Sequence, residues 1–96
     1  SVGMTPATGM ITITYNAAAV GLGAGTAAGN VLTLTPFVRD TATTAVQLAA
    51  AHTAGTTGSI DWACASESFA SATAQGMTVT APANAILAKY VPAACR

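Results

Sequence analysis

Apolar and polar positions alternate with a period of two in three stretches of the chain. Met10-Ile11-Thr12-Ile13-Thr14-Tyr15 follows Gly9, with Ile11, Ile13 and Tyr15 on one face and Met10, Thr12 and Thr14 on the other. Alternation carried by β-branched residues predicts a strand, and Asn16 ends it. Val31-Leu32-Thr33-Leu34-Thr35, opened by Asn30, predicts a second strand in which Leu32 and Leu34 share a face. Pro36 has no ladder donor, so the strand either ends there or lies at an edge at that point. Phe37 and Val38 are its natural continuation, and Arg39-Asp40 return the chain to solvent. The two strands are expected to form an antiparallel hairpin. The long connection over residues 17–29 carries Gly21, Gly23 and Gly25, each of which weakens a helix. Ser59-Ile60-Asp61-Trp62-Ala63-Cys64 predicts a third strand, with Ile60, Trp62 and Cys64 on one side. Trp62 offers the largest apolar surface in the chain, so its face is the expected core face.

Other segments carry weaker patterns. Ala45-Val46-Gln47-Leu48-Ala49 reads as a short strand or extended segment, although its alanines also permit a helical turn. Gly55-Thr56-Thr57-Gly58 is a turn signal, residues 65–76 read as a small-residue loop, and Met77-Thr78-Val79-Thr80 as a short strand. Pro82 and Pro92 bracket an irregular tail over residues 83–96. The expected fold class is mainly β or α+β: one domain over residues 1–96, built on an antiparallel sheet of about four strands. Ile11, Ile13, Leu32, Leu34, Ile60 and Trp62 are its expected core face. An apolar sheet face must be covered, and no segment has the length and periodicity of a covering helix. Residues 17–29 or 41–54 would cover only part of it. An exposed apolar patch, or a self-association that hides one, is therefore expected.

Composition narrows the function. Only 6% of the 96 residues are charged, against roughly a quarter in ordinary domains. Three basic residues balance three acidic ones, too few cations for general binding to nucleic acid. The same scarcity leaves little material for acid–base catalysis, so no enzyme is expected. With 52% apolar residues the chain is not a disordered polar tail, and its apolar runs fall short of the ~20 residues that span a bilayer. Much of the apolar content is alanine, which buries little area, so a covalent staple or a partner surface is expected to assist the core. Starting at Ser1 without a methionine, the chain reads as a processed or truncated product.

Candidate chemistry is sparse. His52, Ser59 and Asp61 can be written as a hydrolytic triad, but Gly58-Ser59-Ile60 is not a nucleophile elbow. Gly21-Leu22-Gly23-Ala24-Gly25 lacks the context and the lysine of a phosphate loop. Lys89 and Arg96 read as ordinary surface charge, with contact to DNA or another surface as the sharper alternative. Tyr90 reads as an anchor for the tail. Cys64 and Cys95 remain. As a disulfide in an oxidising compartment they would contribute roughly 3–4 kcal/mol through loop closure and hold the C-terminal end; otherwise they are two buried thiols. A zinc site would draw on these two and His52 alone, too few and too widely spaced. No metal and no cofactor is expected.

Gly58-Ser59-Ile60-Asp61-Trp62-Ala63-Cys64, followed by Ala88-Lys89-Tyr90-Val91-Pro92-Ala93-Ala94-Cys95-Arg96 at the chain end, resembles the C-terminal part of type IVa pilins. Residues 10–15 and 30–36 resemble the first two head strands of that family. The resemblance implies that Cys64 and Cys95 are bonded and that residues 64–95 are the variable, surface-exposed D-region. It also implies a sheet whose inner face packs on a long N-terminal helix. That helix, through which the family meets the membrane, has no counterpart in these residues, so the chain reads as the pilin head alone. The function so implied is that of a structural subunit of a cell-surface filament. That filament would serve adhesion, twitching motility and DNA uptake in a Gram-negative bacterium, with a subunit pool in the inner membrane and periplasm. Its partners would be other pilin subunits and the N-terminal helix, with DNA as a further candidate and no small-molecule substrate. The alternative is a minor pilin or adhesin-type module that recognises a surface or DNA through the 64–95 loop. A secretion-system pseudopilin fits less well, because those heads often carry a calcium site where this chain has cysteines and few carboxylates.

Overall fold

The computed structural model describes residues 2–16, 29–41 and 44–96. Five strands form one antiparallel sheet: β1 (Val2–Thr5), β2 (Met10–Thr14), β3 (Val31–Arg39), β4 (Ala45–Gln47) and β5 (Ser59–Ala65). Two short helices, α1 (Leu48–Ala54) and α2 (Ala70–Ala74), interrupt the order, and the chain ends in 3-10 turns at Ala88–Tyr90 and Ala93–Cys95.

β3 is the central strand. It pairs with β5 from Thr33↔Ala65 to Arg39↔Ser59. β2 and β4 share its other edge, β2 pairing up to Ile11↔Leu34 and β4 from Phe37↔Gln47. Pro36 falls in the gap between them, where no neighbouring strand asks for its missing N–H. A proline inside a nine-residue strand is thus tolerated because that point of β3 is locally an edge. The β2–β3 hairpin closes at its base through Tyr15 N–H to the Asn30 carbonyl oxygen (2.9 Å) and Asn30 Nδ2 to the Tyr15 carbonyl oxygen (2.8 Å). The expected glycine-rich connection over residues 17–29 lies outside the described residues except at Gly29.

β1 extends the sheet beyond β2 and has no counterpart in the sequence expectations; its four residues are all exposed. The turn between β1 and β2 needs Gly9. Its φ is +75°, and a Cβ would lie 3.1 Å from Pro36 Cγ and 3.9 Å from Leu48 Cδ2. Residues 45–49 combine both readings of their sequence, β4 passing directly into α1, whose Ala51 is buried and which ends on Gly55 with φ +72°. Two expectations fail. Residues 65–76 contain α2, and residues 77–80 form no strand: Met77 and Val79 pack on Phe37 without a backbone ladder.

Ladder register puts Ile11, Ile13, Leu32, Leu34, Ile60 and Trp62 on one face, since Ile11 opposes Leu34, Ile13 opposes Leu32, Trp62 opposes Pro36 and Ile60 opposes Val38. This face is closed over only part of its length. Leu32 is buried, but Ile11, Ile13 and Leu34 are only half-buried, while Ile60 is 56% and Trp62 47% exposed. β5 has no strand on its outer side among the described residues, and nothing described roofs Ile60 and Trp62. One buried cluster lies on this same face, at the disulfide: Leu32, Cys64, Ile86, Val91 and Cys95, with Ile13, Tyr15 and Leu34 packed against it. Phe37, Ala63, Ala72 and Met77 form the other, with Phe37 and Ala63 on the opposite face of the sheet. Phe37, not Trp62, is the buried aromatic.

Candidate functional site

The C-terminal segment is bound to the sheet by one covalent bond and a dense set of backbone contacts. Cys64 in β5 and Cys95 form a disulfide with 4.6 Å between their Cα atoms, and both are buried. Residues beside the cysteines reinforce it. Ser66 is fully buried, and its Oγ donates to the Cys95 carbonyl oxygen at 2.6 Å. Ser71 Oγ donates to the Ala93 carbonyl oxygen, and Ser71 N–H to that of Arg96, which ties α2 to the chain end. Glu67 accepts the Ala88 N–H at 3.0 Å, and its own N–H donates to the Ile86 carbonyl oxygen.

Residues 84–86 then take the place beside β3 that β5 vacates. Ala85 forms a parallel bridge with Val31, and Ile86 N–H donates to the Val31 carbonyl oxygen at 2.8 Å. The Asn84 carbonyl oxygen accepts from Gly29, Asn30 and Val31. Asn84 adopts φ +56°, a conformation that asparagine tolerates better than most side chains. None of Ser66, Glu67 or Asn84 was singled out from the sequence. The asparagine was the one legible signal, as a residue type favoured in such turns.

The two candidate contact residues differ. Lys89 is exposed and lies over the Tyr90 ring at 5.1 Å, next to the exposed Leu87. Arg96 is exposed too, but its Nε donates to the carbonyl oxygens of Ala88 (3.1 Å) and Val91 (3.0 Å), so part of its guanidinium serves the tail's own fold. Tyr90 is 45% exposed, a partner for Lys89 more than a buried anchor. The triad residues are not assembled: Asp61 pairs with Arg39 at 3.0 Å and accepts the Trp62 N–H, while His52 sits exposed on α1 and Ser59 exposed on β5. No group of three metal-ligating side chains occurs among the described residues.

The second feature is the open sheet face. Ile60 and Trp62 on β5 and Val2 and Met4 on β1 are all exposed. Val2 opposes Ile13 and Met4 opposes Ile11, which places them on the same face as Trp62. Monomeric proteins rarely leave large apolar side chains grouped in this way unless the surface meets a partner. Among the described residues no helix is long and apolar enough to cross a membrane.

The family model described as Pilin (bacterial filament) matches residues 1–96. A type IV pilin crystal structure from Pseudomonas aeruginosa (strain Pa110594) is 49% identical, with a TM-score of 0.82; the match covers 100% of this chain and 62% of that one. This chain thus spans under two-thirds of the length of the solved pilin. No curated protein sequence matches it significantly.

Proposed function

The chain belongs to the type IV pilin family, a family of structural filament subunits, and we propose that it works as the single-domain head of a major pilin, without catalysis of its own. Two surfaces divide the labour. The open part of the Trp62 face, with Ile11, Ile60 and Trp62, seats an apolar helix that precedes the head in the complete subunit, and through it the subunit joins copies of itself. The segment closed by Cys64 and Cys95 faces outward on the filament. The observation that carries this reading is the exposure of Trp62 and Ile60 on a sheet whose other face carries α2 and Met77 over Phe37 and Ala63. Near-zero net charge keeps repulsion between neighbouring copies small. The filament would lie on the surface of a Gram-negative cell, fed from a pool of subunits in the inner membrane and periplasm. Adhesion, twitching motility and DNA uptake would be properties of the filament.

Ile60→Lys with Trp62→Lys in the complete subunit tests this. Filaments are expected to be lost while the head keeps its disulfide and its thermal transition. Filaments of normal yield would contradict it.

A second reading, an adhesin-type or minor pilin that contacts DNA or a surface through residues 64–95, draws on the exposed Leu87, Lys89 and Tyr90. With Lys89 the only cation of that segment and Arg96 next to it, each phosphate contact adds a slope of about −0.9 in log K against log salt, so a slope no steeper than about −2 is expected on duplex DNA.

A further inference from the structure

On the sheet face opposite Trp62, threonines of the central strand floor an uncharged cleft of about 180 Å³. Thr33 and Thr35 alternate with Leu34 and Pro36, so their side chains fall on the face of Phe37, and Gln47, directly opposite Phe37, joins them. Thr78, Val79 and Thr80 line it from the segment that crosses this face, and Met10 lines it from β2. Thr33 is 4% and Thr35 5% exposed, yet neither hydroxyl has a hydrogen-bond partner among the described residues. No polar side-chain atom there is both sealed from solvent and unbonded, so both hydroxyls open into the cleft. A polar group this deep normally finds a partner, and leaving it without one costs stability.

We propose that this cleft binds one neutral sugar residue. Hydroxyls donate and accept, and the Gln47 amide does both, which matches the alternating donors and acceptors of a polyol. Met10, Val79 and the threonine methyls offer apolar contact to the C–H face of a ring. No lining residue is charged, so a charged ligand would lose hydration without gaining a counter-ion. The volume is below the roughly 300–1,000 Å³ of sites for drug-sized ligands, which favours a single ring over an oligosaccharide. The assignment does not depend on the filament reading.

Nitrogen–proton correlation spectra of the 96-residue chain, titrated with N-acetylglucosamine, its methyl glycoside, methyl galactoside and methyl glucoside, test the proposal. At least one probe is expected to shift the resonances of Thr33, Thr35, Gln47 and residues 78–80, with a dissociation constant in the range of about 1–10 mM. Binding of a methyl glycoside assigns the terminus of a glycan, and binding of the free sugar with loss of its glycoside assigns the free sugar. Thr33→Val and Thr35→Val keep the shape and remove the hydroxyl, so each should weaken binding at least about fivefold while the melting temperature holds or rises. No shift with any probe, or shifts of equal size in both variants, would overturn the assignment and leave the cleft to water.

Discussion

The Ser66 hydroxyl and the Cys95 carbonyl oxygen lie 2.6 Å apart in a fully buried hydrogen bond that joins the two ends of the disulfide-closed segment a second time. The same hydroxyl lies 3.1 Å from the Ser68 carbonyl oxygen and 3.3 Å from the Ser68 nitrogen. The turn that leaves β5 is thereby fixed relative to the chain end. Ser66→Ala leaves the Cys95 carbonyl oxygen without this partner in a dry site, which costs about 1–3 kcal/mol. Chemical denaturation with the disulfide intact measures it, and an unchanged midpoint would show that the bond contributes nothing.

The disulfide spans 31 positions. Loop-closure entropy assigns such a crosslink about 3–4 kcal/mol. A Cys64→Ala/Cys95→Ala chain is expected to lose this amount in urea, and residues 86–96 should lose amide protection before the β2–β3 hairpin does. Because both cysteines are buried beneath Leu32, Ile86 and Val91, thiol reductants should cut the bond at a rate set by local opening. That rate should saturate with reductant concentration; strict proportionality at all concentrations would contradict the burial argument.

Gly58 precedes β5 where the backbone of β3 passes close by. A Cβ at this position would run into the Arg39 carbonyl oxygen and lie 3.2 Å from Val38 Cγ1. Gly58→Ala therefore has to push two paired strands apart, at a cost of about 1–3 kcal/mol. Thermal melting compares it with Gly55→Ala, where a Cβ meets open space and the penalty comes only from φ +72°.

Arg39 and Asp61 pair across β3 and β5 with side chains 21% and 40% exposed. Partial exposure limits such a bond to about 0–1 kcal/mol. Asp61→Asn is expected to shift the denaturation midpoint slightly, and less still in high salt. Asparagine keeps an oxygen that can accept the Trp62 N–H, as Asp61 does at 2.9 Å, so a larger loss would mean that the ion pair contributes more than its exposure allows.

Strands were the most legible part of the fold, for a physical reason. Residues 10–15, 31–35 and 59–64 alternate strictly, and alternation is what a sheet with one wet and one dry face requires. β1 was hidden because Val2-Gly3-Met4-Thr5 has only four residues and no β-branched run. α2 was hidden because a five-residue alanine–serine turn has no amphipathic period to read. Side-chain size alone did not show how much of the core face is covered. Trp62 is the largest apolar side chain, but burial follows where covering segments go. The chain spends α2 and Met77 on the Phe37 side and its C-terminal segment on Leu32 and Cys64, and leaves Ile60 and Trp62 without a roof among the described residues. At the candidate site the cysteine pair stood out as a residue type at a chain end. Ser66 and Glu67 did not, because their partners are backbone groups that only the folded register brings within reach.

The central claim is that Trp62 marks a surface covered by the preceding helix in the complete, assembled subunit. Hydroxyl-radical footprinting read by mass spectrometry reports oxidation at that residue in the isolated 96-residue chain and in filaments of the complete subunit. The account predicts ready oxidation of Trp62 and Met4 in the isolated chain and strong protection of Trp62 in filaments, while Tyr90 stays reactive in both. Equal oxidation of Trp62 in the two states would contradict it.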